Sequence, residues 1–387
     1  MKNKFKVLQV IPRLGYGGAE AGCYDLAHYL PEQGCKSYIV TSGGALLKYI
    51  KKDKVKIFKL PVNSKNPIII FSNAILITLI ILFYNITIVH ARSRAPAWSC
   101  LLATKITRRK FVTTFHGTYN FNNNFKKFYN SVMVRSNLVI AGSNFIFSHI
   151  NENYEKFIKK KKRKLLVIFR GINTDYFNPI KISSSKINKL KSLWGINENL
   201  FLILLPGRLT GWKGQKVFIE AIRLLSLKEN LKPFVSIILG NEQGRDVYKK
   251  QLIGLVEQHR LKNFIKLINH CDEMPVAYKI SNLIVSTSIE PEAFGRVSVE
   301  AQSMTKPIIA TNLGGSTETI IKDKTGFLIN FGDPNLLADS IYKLMMMDDK
   351  VLEEMGLEGR KNVVKKFDVE KMCKSTFSEY NKLIDQS

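Results

Sequence analysis

The sequence predicts an α/β protein built from two doubly wound parallel sheets, and three observations lead there. Short apolar runs of strand character alternate with segments of helical periodicity along most of the chain. That alternation marks βαβ units whose strands are buried on both faces. It occurs twice, on either side of the polar, Ser- and Lys-rich stretch NPIKISSSKINKLKSLWG (178–195). A length of 387 residues with 45% hydrophobic content suits two domains, each with its own core.

The first half opens with FKVLQVIP (5–12) as a strand, AGCYDLAHYL (21–30) as an amphipathic helix and KSYIVTS (36–42) as the next strand. VKIFKLPV (55–62), TIVHA (87–91), KFVTTFHG (110–117) and NLVIAGS (137–143) continue the strands, with WSCLLATKITRR (98–109) and FKKFYNSVMVRS (125–136) as helices. The most apolar window runs from about Pro67 to Ala91 and is nearly long enough to span a bilayer. Asn73, Thr78 and Asn85 interrupt it, so a buried helix (67–84) and a strand are expected there, with a transmembrane span or a membrane-facing helix as the alternatives. The pattern fades over NENYEKFIKKKKRKLLVIFRGIN (151–173), where Lys159 to Lys164 read as a solvated helix end. The stretch 178–195 is expected to connect the domains. The second half holds LFLILLPGR (200–208), FVSIILGN (234–241), FIKLINH (264–270), NLIVSTS (282–288), PIIAT (307–311) and GFLIN (326–330) as strands, with helices such as GQKVFIEAIRLLS (214–226) between them. Ligands of such sheets bind beyond the carboxyl ends of the strands, and the space between two such domains is a natural site.

Composition narrows the partners. Lys and Arg number 59 against 31 Asp and Glu, a formal net charge of +28. A cationic surface favours phosphate-rich partners or an anionic membrane leaflet, although a Lys- and Ile-rich composition produces the same charge by itself. No basic zipper or aromatic RNA-binding pattern is present, so nucleic acid is not expected as a partner. The five cysteines, Cys23, Cys35, Cys100, Cys271 and Cys373, include no C-x-x-C spacing and are odd in number. That argues against a disulfide framework or a zinc cage and fits a reducing cytoplasm. The N-terminus, MKNKFKVLQVIP, reads as a first strand rather than a signal peptide.

Four loops carry candidate chemistry. LGYGGAE (14–20) follows the first strand and opens a helix, but Glu20 stands where a dinucleotide fingerprint needs its third glycine. Gly17 and Gly18 either let backbone approach an anionic ligand or simply make a tight turn. LLPGRLTGWKGQ (204–215) sets Arg208 and Lys213 on a glycine-framed loop entering a helix. Two such cations suit a diphosphate, Arg by bidentate contact and Lys as a point charge. FVTTFHGTYN (111–120) places His116 at a strand's carboxyl end, where it is either structural or faces a ligand. EPEAFGRVSVEAQ (290–302) sets Glu292 on a loop with Phe294 and Gly295, and Glu300 on the helix that follows. One acid on the loop and one on the helix reach different parts of a ligand, which favours gripping hydroxyls over a facing hydrolytic pair. GGSTETI (314–320) adds a further glycine turn, with Glu318 on the next helix.

PGRLTGWKG followed by EPEAFGRVSVEAQ resembles the retaining glycosyltransferases of family 4, which have the GT-B fold of two Rossmann-like domains facing a central cleft. The Glu292-x7-Glu300 spacing, the early glycine loop, the FHG histidine and GGSTETI…TGFLI (314–329) extend the resemblance over nearly the whole chain. HARSRAPAW (90–98) further resembles a bacterial subgroup that builds lipopolysaccharide or other surface glycans. The resemblance implies an acceptor-binding domain over 1–180, a nucleotide-sugar-binding domain over 181–366 and a C-terminal helix (367–387) that crosses back to the first domain. It implies that Arg208 and Lys213 hold the nucleotide diphosphate, that Glu300 takes the ribose hydroxyls, and that Glu292 holds the donor sugar with the amides around Phe294 and Gly295. His116 would touch that sugar near its anomeric centre, and Gly17 and Gly18 would lie at the diphosphate or the acceptor entrance. The expected donor is a nucleotide-diphosphate sugar and the expected acceptor a glycan or lipid-linked glycan. No cofactor or metal is required, because two cations stabilise the leaving group and no persuasive D-x-D motif ends a strand. A cytoplasmic protein is expected, with the cytoplasmic face of the inner membrane as an optional resting place. A sugar-nucleotide epimerase or hydrolase of the same fold, and a non-catalytic nucleotide-sugar-binding protein, are the alternatives.

Overall fold

The computed structural model describes residues 5–159, 163–197, 199–242 and 244–385. The chain forms two compact units: residues up to Gly171 together with those from Val369 onward, and Ile172–Asp368.

Among the described residues the first unit holds seven strands: β1 (Lys6–Val10), β2 (Lys36–Thr41), β3 (Val55–Lys59), β4 (Ile88–Ala91), β5 (Lys110–Phe115), β6 (Leu138–Ala141) and β7 (Lys164–Val167). They form one parallel sheet in the order β3-β2-β1-β4-β5-β6-β7. β1 therefore pairs β2 on one side and β4 on the other, with Val7 opposite Ser37 and Ile88. Chain direction across the sheet reverses here, and the loops after β1 and β4 diverge to open a crevice. The second unit repeats the scheme with β8 (Phe201–Pro206), β9 (Phe234–Leu239), β10 (Ile265–Ile268), β11 (Leu283–Ser286), β12 (Ile308–Thr311) and β13 (Phe327–Ile329). Its parallel order is β10-β9-β8-β11-β12-β13, with the switch beside β8. Every residue of β8 and β9 is buried, which is why their sequences run apolar without alternation.

Four expectations need correction. β7 lies where the pattern fades: it is an edge strand, and edge strands tolerate the charge that hides their periodicity. Of the lysine run, Lys159 ends a helix, Lys164 opens β7 and pairs with Glu379, and Lys160–Lys162 lie outside the described residues. The polar stretch 178–195 is mostly a helix, Ser184–Trp194, capped by the Ser183 side chain at one end and by left-handed Gly195 at the other. Its composition resembles a linker because only Trp194 of that helix is buried.

The division between units falls at 171/172 and 368/369, not at 180/181 and 366/367. The Ile172 amide donates to the Phe367 carbonyl at 2.9 Å, and Phe177 is buried with its ring 6.0 Å from that of Tyr278. The final helix, Val369–Asp385, belongs to the first unit, where Cys373, Tyr380 and Leu383 join Phe5, Leu26, Leu30 and Ile88 in one core.

The fourth correction concerns the apolar helix Pro67–Tyr84, which is not buried. Only Asn73, Ala74, Ile77 and Ile81 are covered, while Ile68, Phe71, Leu79, Leu82 and Phe83 are exposed. By length and composition it is the one described helix able to cross a membrane. It is apolar on every face, so a single packed stripe leaves the rest uncovered.

Candidate functional site

In the second unit the candidate residues gather beyond the carboxyl ends of β8, β11 and β12. β8 ends at Pro206; Gly207 and the exposed Arg208 follow, then a short 3-10 turn, Gly211–Lys213. Gly214 adopts a left-handed conformation, and a β-carbon there would lie 1.9 Å from the Thr287 carbonyl oxygen. Only glycine permits that approach, which binds the loop after β8 to the loop after β11. Two further bonds complete the tie: Thr287 Oγ1 donates to the Lys213 carbonyl at 2.9 Å, and the Ile289 amide donates to the Trp212 carbonyl at 2.8 Å. The stem of Lys213 lies over the Gly207 backbone, next to Arg208.

This tie brings together two predicted residues from different loops. The Lys213 ammonium pairs with Glu292 Oε1, and the two side chains are only 13% and 14% exposed. Ser288 Oγ donates to the same carboxylate oxygen at 2.7 Å. Glu292 is held in turn by backbone: the Gly315 amide donates to its carbonyl at 2.7 Å. Phe294 is buried, its ring edge-on to Phe367 at 5.5 Å, so its backbone rather than its side chain is available to a ligand. Left-handed Gly295 starts the helix Arg296–Ser303, which carries Glu300 in its second turn. Glu300 is 7% exposed and accepts from Tyr278 OH at 2.8 Å and from Arg296 Nε at 2.5 Å. Burial, and then the Glu300 charge, push the Tyr278 hydroxyl well above its ordinary range, so it stays a donor.

In the first unit, His116 follows β5 and meets Arg170, which follows β7. Arginine only donates, so His116 Nδ1 is the acceptor and its proton sits on Nε2. Among the described residues Nε2 is buried and has no hydrogen-bond partner. Burial holds His116 well below the ordinary histidine range, and the positive charges of Arg170 and Arg92 add to that. The result is a neutral imidazole with an N–H donor left to spend. Beside it, His90 bridges Tyr380 OH at 2.5 Å and Thr114 Oγ1 at 2.7 Å, and burial keeps it neutral as well. Gly18 lines the same cavity as His116. Gly17 caps the helix Gly18–Glu32, and its open side is filled by the Glu20 carboxylate.

Comparisons with known proteins place the chain in a family. Residues 16–176 match the family model described as "Glycosyltransferase Family 4", and residues 186–362 match "Glycosyl transferases group 1". A glycosyltransferase from Rickettsia africae ESF-5 is 38% identical, with each chain covered completely and a TM-score of 0.89. The chain belongs to the family 4 glycosyltransferases. This glycosyltransferase has the GT-B architecture of two Rossmann-like units. It is 30% identical to the capsular polysaccharide biosynthesis glycosyltransferase CapM of Staphylococcus aureus over 230 residues, 59% of this chain and 58% of CapM. The chain spans about half the length of the curated relatives it matches first, 58%, 54% and 44%. Anabaena HepE, solved in complex with UDP and glucose, shares the fold at a TM-score of 0.82 and 22% identity, with 97% and 99% of the chains covered.

Several residues of these clusters escape a linear reading of the glycosyltransferase. Arg296 was accessible in principle, because it stands four residues before Glu300 on one helix. Arg170 stands just beyond the carboxyl end of β7, an edge strand whose charge hides its periodicity. Tyr278 and Ser288 carry no pattern of their own; only packing brings them to Glu300 and Glu292.

Proposed function

We propose that this protein transfers a glycosyl group from a nucleoside-diphosphate sugar to a glycan acceptor, with retention at the anomeric carbon. The observation that carries the reading is the loop cluster of the second unit: exposed Arg208 next to the Lys213–Glu292–Ser288 group, with Glu300 oriented by two donors. HepE, of the same fold, was solved with UDP and glucose, which supports a nucleotide-sugar donor.

In this reading Arg208 and Lys213 hold the diphosphate. Glu300 accepts from the ribose hydroxyls. Glu292 and the backbone around Phe294 and Gly295 hold the sugar, and the His116 Nε2–H is assigned to a sugar oxygen. The bond between the anomeric carbon and the diphosphate oxygen breaks, and its electron pair leaves with the diphosphate. Charge grows on oxygens facing the two cations, which stabilise it without a metal. The acceptor hydroxyl then bonds to the same face of the anomeric carbon, and its proton passes to the departing phosphate oxygen. Glu292 is engaged by Lys213 and Ser288, so it is assigned to positioning rather than to covalent attack.

The acceptor assigned is a lipid-linked surface glycan; the name of CapM supports the surface-glycan part of that assignment. The exposed apolar helix Pro67–Tyr84, with exposed Ile106 and a net charge of +28, supports residence on an anionic membrane surface.

Calorimetric titration with UDP-, GDP- and ADP-sugars, with and without EDTA, tests the donor. Binding of one nucleotide that survives EDTA and is lost in Arg208→Ala and Glu300→Ala is expected. Binding unchanged in both variants would sink the site assignment.

A further inference from the structure

The first unit holds a cationic cavity whose two arginines the donor reading leaves unassigned. Arg92 follows β4 and is 6% exposed. Its Nε donates to Gln9 Oε1 at 2.8 Å, and the Gln9 amide, itself fully buried, donates to the Cys23 carbonyl at 3.0 Å. Gln9 thereby aims the guanidinium without neutralising it. One terminal nitrogen of Arg92 lies at the surface of the helix Gly18–Glu32, 3.8 Å from where a β-carbon on Gly22 would stand. Among the described residues Arg92 forms no ion pair. Arg170 reaches the same place from the other side, its stem packed over Gly142, where a β-carbon would stand 3.2 Å away.

Both arginines line one cavity of about 30 Å³, together with His116, Thr114, Thr376 and Gly18. Among the described residues no aspartate or glutamate lines it. Glu20 does not fill that role, since its carboxylate turns onto Gly17 at the helix start. The Arg92 charge, removed from water and without an ion pair among the described residues, is costly to keep, and a bound anion would supply the missing charge. The walls carry hydroxyls and N–H donors but no carboxylate, a chemistry that attracts an anion. The volume admits a compact head group rather than a sugar ring.

We propose that this cavity is an anion subsite that receives the phosphate or carboxylate group of an acidic acceptor. Arg92 and Arg170 provide the charge, and the Thr114 hydroxyl provides a further hydrogen-bonding group. The word acceptor rests on the glycosyl-transfer reading; the anion site itself does not.

The test uses the full chain and inorganic phosphate as the probe. In an Arg208→Ala/Lys213→Ala background, which removes the phosphate-attracting cations of the second unit, calorimetry should still detect phosphate binding. Adding Arg92→Gln or Arg170→Gln should weaken it by about tenfold or more, and Arg92→Lys by about threefold. Arg170 is less buried than Arg92, so Arg170→Gln, with an unchanged circular dichroism spectrum and melting curve, keeps the test valid if Arg92→Gln fails to fold. Binding that is absent in the double-alanine background, or equal with and without the Gln substitutions, would overturn the proposal. In the native chain saturated with UDP, phosphate should still bind and Arg170→Gln should abolish it. Displacement by UDP would assign the cavity to the donor and overturn the acceptor part. A chain that binds phosphate through Arg170 but no nucleotide would refute the donor reading and leave the subsite standing.

Discussion

Replacing Lys213 by alanine separates the two roles of its pairing with Glu292. Both side chains are nearly buried, at 13% and 14% exposure, and Ser288 is the other side-chain donor to the carboxylate oxygen at 2.7 Å. Removing the lysine leaves a carboxylate largely out of water with one neutral hydrogen bond. Breaking a buried pair from one side costs about 3 kcal/mol, and for a domain of this size that lowers the melting temperature by about 6–12 °C. Lys213→Ala/Glu292→Ala removes both charges and should recover most of that loss, to within about 1 kcal/mol of the native chain. Donor affinity should behave differently. A charge-assisted hydrogen bond to the diphosphate contributes about 1.5–3 kcal/mol, so Lys213→Ala and the double variant should both bind the nucleotide about 10–100-fold more weakly. Thermal unfolding followed by circular dichroism reads the first effect, and calorimetry with the preferred nucleotide reads the second. A double variant as unstable as Lys213→Ala would refute the buried-pair argument. Full nucleotide affinity in either variant would refute the role of Lys213 at the diphosphate.

Other outcomes follow from the same geometry. Tyr278→Phe deprives Glu300 Oε2 of its 2.8 Å donor and should raise the donor KM about five- to tenfold with little change in kcat; unchanged donor KM would exclude Tyr278 as a positioning residue. His90 and His116 both titrate well below the ordinary range in the folded chain, so the unfolded chain binds more protons once pH falls below about 6.5. Stability should therefore drop as pH falls through that point, by up to about 1.4 kcal/mol per pH unit for each group. His90→Gln should remove one such contribution, which denaturant midpoints between pH 5 and 7 would show as a shallower slope. Gly314→Ala sets a β-carbon 2.4 Å from the Glu292 carbonyl at a positive φ and should destabilise the second unit by about 2 kcal/mol or more, measured by urea unfolding. Leu79→Glu and Phe83→Glu, on the exposed apolar face, should reduce sedimentation with anionic vesicles, as should high salt; equal sedimentation of native and variant chains would remove the membrane assignment.

The sequence by itself determined the architecture and most of the chemistry-bearing positions. Twelve of the strand segments it predicts are strands, because buried parallel strands are short, apolar and bounded by turns. The candidate residues after β8, β11 and β5 were legible for a related reason: polar and glycine residues directly after a buried strand are not asked for by packing. Periodicity failed where its physical cause was absent. β7 is an edge strand opened by Lys164, and Ser184–Trp194 is a helix with only one buried residue.

Tertiary structure alone decided which side chains meet. Lys213 and Glu292 are 79 residues apart, His116 and Arg170 are 54 apart, and His90 and Tyr380 are 290 apart. No spacing rule reaches across such distances, because these pairs are made by loops leaving different strands of one sheet or by a helix returning to an earlier sheet. Exposure of the helix Pro67–Tyr84 was likewise undecidable from its composition. An all-apolar helix reads the same whether it is buried on every side or on one stripe, and only the packing partners around it settle which.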